Sequence, residues 1–175
     1  MIFVGGVHGV GKSFLCSLAR KRYGINAYSS GVLIAAYKKD EYLSDKKVDD
    51  ISHNQNILKL ALQEIEKTEK NFLLDGHFCL YNKFGKIEEI ASAVFKELKP
   101  KAILILIAPS SVLYERLSSR DGIIYSLEEL GNFQEHEIQH AKQIASNLGV
   151  PIEIQSDMEK GLAFIGSQLE VEFGL

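Results

Sequence analysis

G-G-V-H-G-V-G-K-S, residues 5–13, decides how the rest of this chain is read. From Gly6 to Ser13 it satisfies G-x-x-x-x-G-K-[ST] without a mismatch, and its setting is the one the motif needs, an apolar strand-like run before it and a helix-period segment after it. Glycines at such spacing let the backbone wrap closely around phosphate oxygens, so that successive N–H groups and the N-terminus of the next helix face the anion. In this pattern Lys12 reaches the β- and γ-phosphates of a nucleotide and the Ser13 hydroxyl ligates Mg²⁺. The nucleotide-binding segment is therefore read as Gly6, His8, Gly9, Val10, Gly11, Lys12, Ser13 and Phe14. Whether His8 faces the nucleotide or packs beside it is left open by the sequence.

Working outward, short apolar runs alternate with helix-period segments, the pattern of βαβ units and a mainly parallel sheet. Five strands are expected, at 2–5, 26–29, 71–75, 102–108 and 150–155. The fourth is apolar throughout, which suits a central strand covered on both faces. Helical spacing runs over 12–23, 49–70, 88–99, 110–120, 126–148 and 157–170. Ser126 with Glu129 forms a capping box, and Gly149 followed by Pro151 stops that helix. The polar stretch 38–50 has no apolar stripe and reads as a loop or flap. The expected architecture is a three-layer α/β/α domain over residues 1–175 with a five-stranded, mainly parallel sheet; the family resemblance carried by the motifs that follow implies that it is of the P-loop kinase type, with residues 38–70 as the candidate acceptor-binding flap and helix and 116–126 as a short lid.

Composition weighs against several classes without excluding nucleic acid. The 175 residues carry a formal net charge of -3, so no basic footprint for a polyanion is present and nucleic acid is not the expected partner. Cys16 and Cys79 stand in neither a C-x-x-C nor a zinc spacing and read as reduced thiols. The N-terminal apolar stretch is too short for a signal peptide or a membrane span, so the expected location is the cytoplasm, with no membrane partner.

A phosphate loop needs an acidic residue at the end of a neighbouring strand. Asp75 closes N-F-L-L-D and precedes Gly76 and His77, at the edge where doubly wound folds bind ligands. It is the candidate second residue at the metal, with Ser13. His77 has two readings, orienting water or an acceptor beside Asp75, or packing under the lid. Arg116 and Arg120 lie at i and i+4 on one helix, spaced to swing over one triphosphate.

Taken together and in order, these motifs resemble the adenylate kinase and nucleoside monophosphate kinase group, closest to the short archaeal and ribosome-assembly types. Tyr28-Ser29-Ser30-Gly31-Val32-Leu33 is similar to the group's S-[ST]-G-[DE]-[LM] segment, which lines the acceptor nucleotide. Asp75-Gly76-His77 is similar to the Asp-x-His of the short kinases, and Arg116 through Arg120-Asp121 to the R-x-x-x-R-D at the lid. The resemblance implies ATP and Mg²⁺, with Lys12, Asp75, Arg116 and Arg120 as catalytic residues, and Ser30, Gly31 and His77 on the acceptor side.

The departures bear on the acceptor. Ala35 stands where the group often has arginine, Val32 replaces the usual acid, and Arg120 is the last arginine in the chain. Lysines 46, 47, 83 and 86 are the available substitutes. The implied activity is transfer of the ATP γ-phosphate to a nucleoside monophosphate or another small acceptor. The alternatives are an ATPase switch acting on a protein or ribonucleoprotein partner, and a kinase for a non-nucleotide or polynucleotide acceptor. His136-Glu137-Ile138-Gln139-His140 also fits H-E-x-x-H, but no third zinc ligand is identifiable, and these histidines read as solvated residues on an amphipathic helix.

Overall fold

The computed structural model describes residues 1–41, 51–82, 84–121 and 125–170, with the side chains of 38–41, 51–53, 121 and 170 outside that description. In chain order the elements are β1 (Ile2–Gly5), α1 (Lys12–Tyr23), β2 (Asn26–Ser29), α2 (Ser30–Glu41), α3 (Ile51–Glu66), β3 (Phe72–Asp75), β4 (Cys79–Tyr81), β5 (Ile87–Glu89), α4 (Ser92–Leu98), β6 (Ala102–Leu106), α5 (Ser110–Asp121), α6 (Leu127–Leu148), β7 (Ile152–Gln155) and α7 (Met158–Glu170). Five strands form one sheet in the order β2-β3-β1-β6-β7, every neighbouring pair parallel. These are the five expected strands, the first two with the expected bounds and the other three shortened by one or two residues at one end.

Side-chain alternation along β6 assigns the two faces. Leu104 and Leu106 lie within reach of Gly161 on α7, beside Leu15 of α1, whereas Ile105 meets Phe78 on the other side. Helices α1 and α7 therefore cover one face, and α4 and α6 the other. All five residues of β6 are buried, as its unbroken apolar run requires. On the α4–α6 face the core is aromatic. Phe78 stacks on Phe95 with centroids 4.7 Å apart, and Phe3 meets both edge-on at 4.9 and 5.5 Å.

The helix ends follow their local chemistry. Ser126 caps α6 by accepting the Glu129 N–H, and Gly149 closes it in the left-handed conformation at φ 66°. Three expectations need correcting. Residues 38–41 are the end of α2, not part of a loop, while the rest of the expected flap, 42–50, lies outside the described residues. Residues 88–89 belong to β5, because they pair antiparallel with β4, and the helix expected from 88 starts at Ser92. The β4–β5 hairpin itself was not foreseen. Its turn is organised by Asn82, whose side-chain oxygen accepts N–H bonds from Phe84 and Lys86.

No helix among the described residues is long and apolar enough to cross a membrane. Both cysteines are free and buried, and burial pushes each thiol up to about 12.

Phe95→Ala removes the ring that bridges Phe3 and Phe78. The expected cost is about 3–5 kcal/mol, read as a lower midpoint in urea unfolding with the slope unchanged. A loss under about 1 kcal/mol contradicts this packing account.

Candidate functional site

The site lies at the carboxyl edge of the sheet, where Gly5 and Asp75 end neighbouring strands in register with Val4 opposite Asp75. The chain leaves β1 toward α1 on one face and leaves β3 toward Phe78 and α4 on the other. A crevice therefore opens between their ends. Gly6 at φ 133°, Gly9 at 78° and Gly11 at 108° turn the loop through conformations that side chains rarely adopt. At Gly6 the constraint is doubled, since a Cβ there would sit 2.5 Å from the backbone oxygen of Leu106. Gly11 then starts α1 with no side-chain cap and no acidic residue in the first turn, so the helix N-terminus is left for an external anion.

Two cations hold the loop from its carbonyl side. Lys12 Nζ donates to Gly6 O at 2.6 Å and Val7 O at 3.3 Å, and Arg116 Nη1 donates to Gly9 O at 3.0 Å and Val10 O at 3.3 Å. Lys12 is only 7% exposed and lies 3.8 Å from Asp75 Oδ1. Burial pulls its ammonium below the usual lysine range, against the opposing pull of Asp75, Glu137 and Cys16. Burial also pushes the Asp75 carboxyl up, opposed by Lys12, His77 and a hydrogen bond from Ser13. Both groups are short of solvation, the condition in which a bound anion and cation gain most from them.

The rest of the site comes from α6. Glu137 is fully buried, its Oε1 is 3.0 Å from His77 Nδ1, and its Oε2 accepts the Phe78 N–H at 2.8 Å. The His8 and His77 rings lie against each other with centroids 4.3 Å apart. This overturns the reading of H-E-x-x-H as solvated surface. His136 is exposed, but His140 is 3% exposed and donates from Nε2 to Ile90 O at 2.8 Å. Its burial between the hairpin and α4 keeps it from pairing with His136 on a metal. Among the described residues no three His, Cys, Asp or Glu side chains group as metal ligands.

A cavity of 510 Å³ joins the loop to the acceptor side. His8, Gly9, Lys12, Ser13, Asp75, His77 and Arg120 line one end, and Ser30 and Gly31 from the start of α2 line its side. The far end is bounded by Asn54, Gln55 and Leu58 of α3 with Leu80, Val94 and Leu98. The expected site residues are thus brought together, with differences. Arg116 contacts the loop carbonyls rather than the cavity, Val10 is buried, and Phe14 is 59% exposed. Of the candidate lysines, Lys86 is exposed on the hairpin away from the cavity, and 46, 47 and 83 lie outside the described residues, as do 122–124 of the expected lid. Sequence reasoning missed Asn54, Gln55 and Glu137.

Residues 5–130 match the AAA domain family. An adenylate kinase from Mycoplasmopsis pulmonis (strain UAB CTIP) is 29% identical over 126 residues, 67% of this chain and 56% of that protein, so the chain matches little more than half the relative's length. Among solved structures, a gluconokinase from Sinorhizobium meliloti 1021 superposes with a TM-score of 0.53 at 15% identity, over 99% of this chain and 97% of that one. A shikimate kinase from Acinetobacter baumannii, in complex with shikimate, gives 0.56 at 12% identity, over 98% and 92%. The two structures share the fold with this chain.

Gly6→Ala tests the loop geometry. The strained φ and the backbone clash are expected to cost at least about 1–3 kcal/mol and to abolish retention of radiolabelled ATP in filter binding. Wild-type retention with an unchanged melting temperature contradicts the geometry.

Proposed function

The chain belongs to the AAA domain family, and from that premise we propose that it is an ATP-dependent phosphotransferase, passing the ATP γ-phosphate to a nucleoside monophosphate or another small acceptor. The observation that carries the reading is the buried Lys12 ammonium. It bridges the loop carbonyls and lies beside Asp75, at the mouth of a cavity that continues past Ser30 and Gly31.

In this reading the loop amides and the N-terminus of α1 hold the phosphates, and Lys12 moves from the loop carbonyls onto the β- and γ-phosphate oxygens. Ser13 and Asp75 are the residues that would hold Mg²⁺. Their chemistry fits that ion, which takes one or two protein oxygens and completes its shell with water and substrate phosphates rather than with a dedicated protein cage. Bound there, it would neutralise charge developing between the phosphates. Arg120, at the cavity wall, adds positive charge over the transferring group. Arg116 holds the loop's conformation through the Gly9 and Val10 carbonyls, and in this reading it turns to the triphosphate only once the nucleotide is bound. Residues 116–126 are the lid in this account, and the acceptor lies along Ser30 and Gly31 at the start of α2. Catalysis rests on positioning and charge stabilisation, with closure excluding water.

The test is product analysis with Mg-ATP, with and without a panel of acceptors, in wild type and Lys12→Ala. Lys12→Ala is expected to lower ATP turnover by roughly 10²-fold or more while the far-UV circular dichroism stays unchanged. Undiminished turnover in that variant removes Lys12, and the mechanism, from the account. Equal ADP release with and without every acceptor favours an ATPase switch instead.

A further inference from the structure

Three helices each turn one face toward the acceptor side of the cavity, and on each the lining residues sit one helical turn apart: Ser30 and Ile34 on α2, Asn54 and Leu58 on α3, Val94 and Leu98 on α4. Gln55 stands three residues before Leu58 and joins the same face of α3. Where α3 and α4 approach each other the wall is apolar, built from Leu58, Val94 and Leu98 with the Phe95 ring beside them. The carboxamides of Asn54 and Gln55 are set against that wall.

At Asn54 the side-chain oxygen is buried and has no hydrogen-bond partner. An acceptor left unmet in this way weakens the free protein, and a ligand N–H that meets it recovers the loss on binding. The terminal torsion of asparagine is broad, so the oxygen can swing toward the cavity as a ligand arrives.

Such a wall discriminates between kinds of acceptor. A polyhydroxylated acid carries hydroxyls around its whole surface, and against Leu58, Val94 and Leu98 they would lose water without gaining partners. A nucleobase has the converse shape. Its two faces pack on side chains, and its polar atoms lie in the ring plane, with hydrogen-bond donor and acceptor side by side along an edge. A carboxamide presents the matching pair, an oxygen that accepts and an NH₂ that donates.

We propose that Asn54 and Gln55 select the acceptor by hydrogen-bonding the edge of a nucleobase that lies against the apolar wall of α3 and α4, with Asn54 Oδ1 accepting a base N–H. The inference rests on the phosphotransferase reading and deepens it. The base is the chemistry recognised, whether it arrives on a nucleoside or on its monophosphate, and the product separates the two sources: a monophosphate forms from the first and a diphosphate from the second.

Wild type is expected to phosphorylate, with Mg-ATP, at least one of adenosine, guanosine, cytidine, uridine, thymidine and their 5′-monophosphates, and to give no product from D-gluconate or shikimate. Asn54→Leu, close to the natural side chain in size, is expected to raise KM for that acceptor about 10-fold or more and to leave KM for ATP within about twofold. Its melting temperature is expected to equal or exceed that of wild type, because the unmet oxygen is gone; an asparagine kept only for structure would lower it on removal. Gln55→Leu, on the same face, is the second variant and is expected to raise KM for the acceptor in the same way. An analogue of the acceptor methylated at the N–H of its base edge should lose about 10-fold in kcat/KM with wild type and under about twofold with Asn54→Leu, since the bond it removes is already absent there.

Transfer to either hydroxy acid, or inorganic phosphate as the only product, overturns the nucleobase assignment. An unchanged acceptor KM in Asn54→Leu or in Gln55→Leu overturns the role of that residue, and so does, for Asn54, an analogue penalty as large in the variant as in wild type. In each of these cases ATP turnover lost in Lys12→Ala leaves the ATP site standing, whereas no Lys12-dependent turnover of any kind fails the phosphotransferase reading itself.

Discussion

Burial of one ammonium group organises this molecule. Lys12 is drawn under the loop, bonded to the carbonyls of Gly6 and Val7 and facing Asp75 from the next strand but one in the chain. A lysine so placed loses hydration that only partners of opposite polarity restore, and the fold supplies them from two directions. Pulling the carbonyls to one side leaves the amides of the same peptides for an anion on the other. The loop's three positive-φ glycines and the uncapped start of α1 are what that geometry requires. The parallel pairing of β1 and β3 then sets Asp75 within reach.

A second buried charge ties the far layer to the same edge. Glu137 reaches from the middle of α6 to the turn after β3, so the aromatic core of Phe3, Phe78 and Phe95 and the site share one support. The cavity that results is charged at the loop and neutral at α3, a polarity that follows from which helices the strand order brings to each end.

Much of this was legible in the sequence because its signals are local. The phosphate loop, the strand ending in Asp75 and the Ser126 cap each announce themselves within a few residues, and α1 runs over Lys12–Tyr23 as its periodicity indicates. What was missed lacks a local signal. The six consecutive apolar residues 32–37 of α2 form no stripe, since the helix packs on β2 and α3 by tertiary context rather than by one face. The hairpin strands are three residues long, too short for alternation to stand out, and are fixed by pairing and by the Asn82 turn. The H-E-x-x-H segment was weighed as a metal motif or as surface. Its glutamate proved to be a buried partner of a residue 60 positions away, a contact that no spacing rule within the helix reveals.

The central claim is that the Lys12 loop is the seat of a nucleotide triphosphate. The most direct measurement is calorimetric titration of the wild-type chain with the non-hydrolysable analogue AMP-PNP, with and without Mg²⁺. The account predicts one site per chain, with affinity raised by the metal and lost when the competing ligand ADP is already bound. No saturable binding, or binding that leaves the backbone amide NMR signals of residues 6–13 unperturbed, would contradict it.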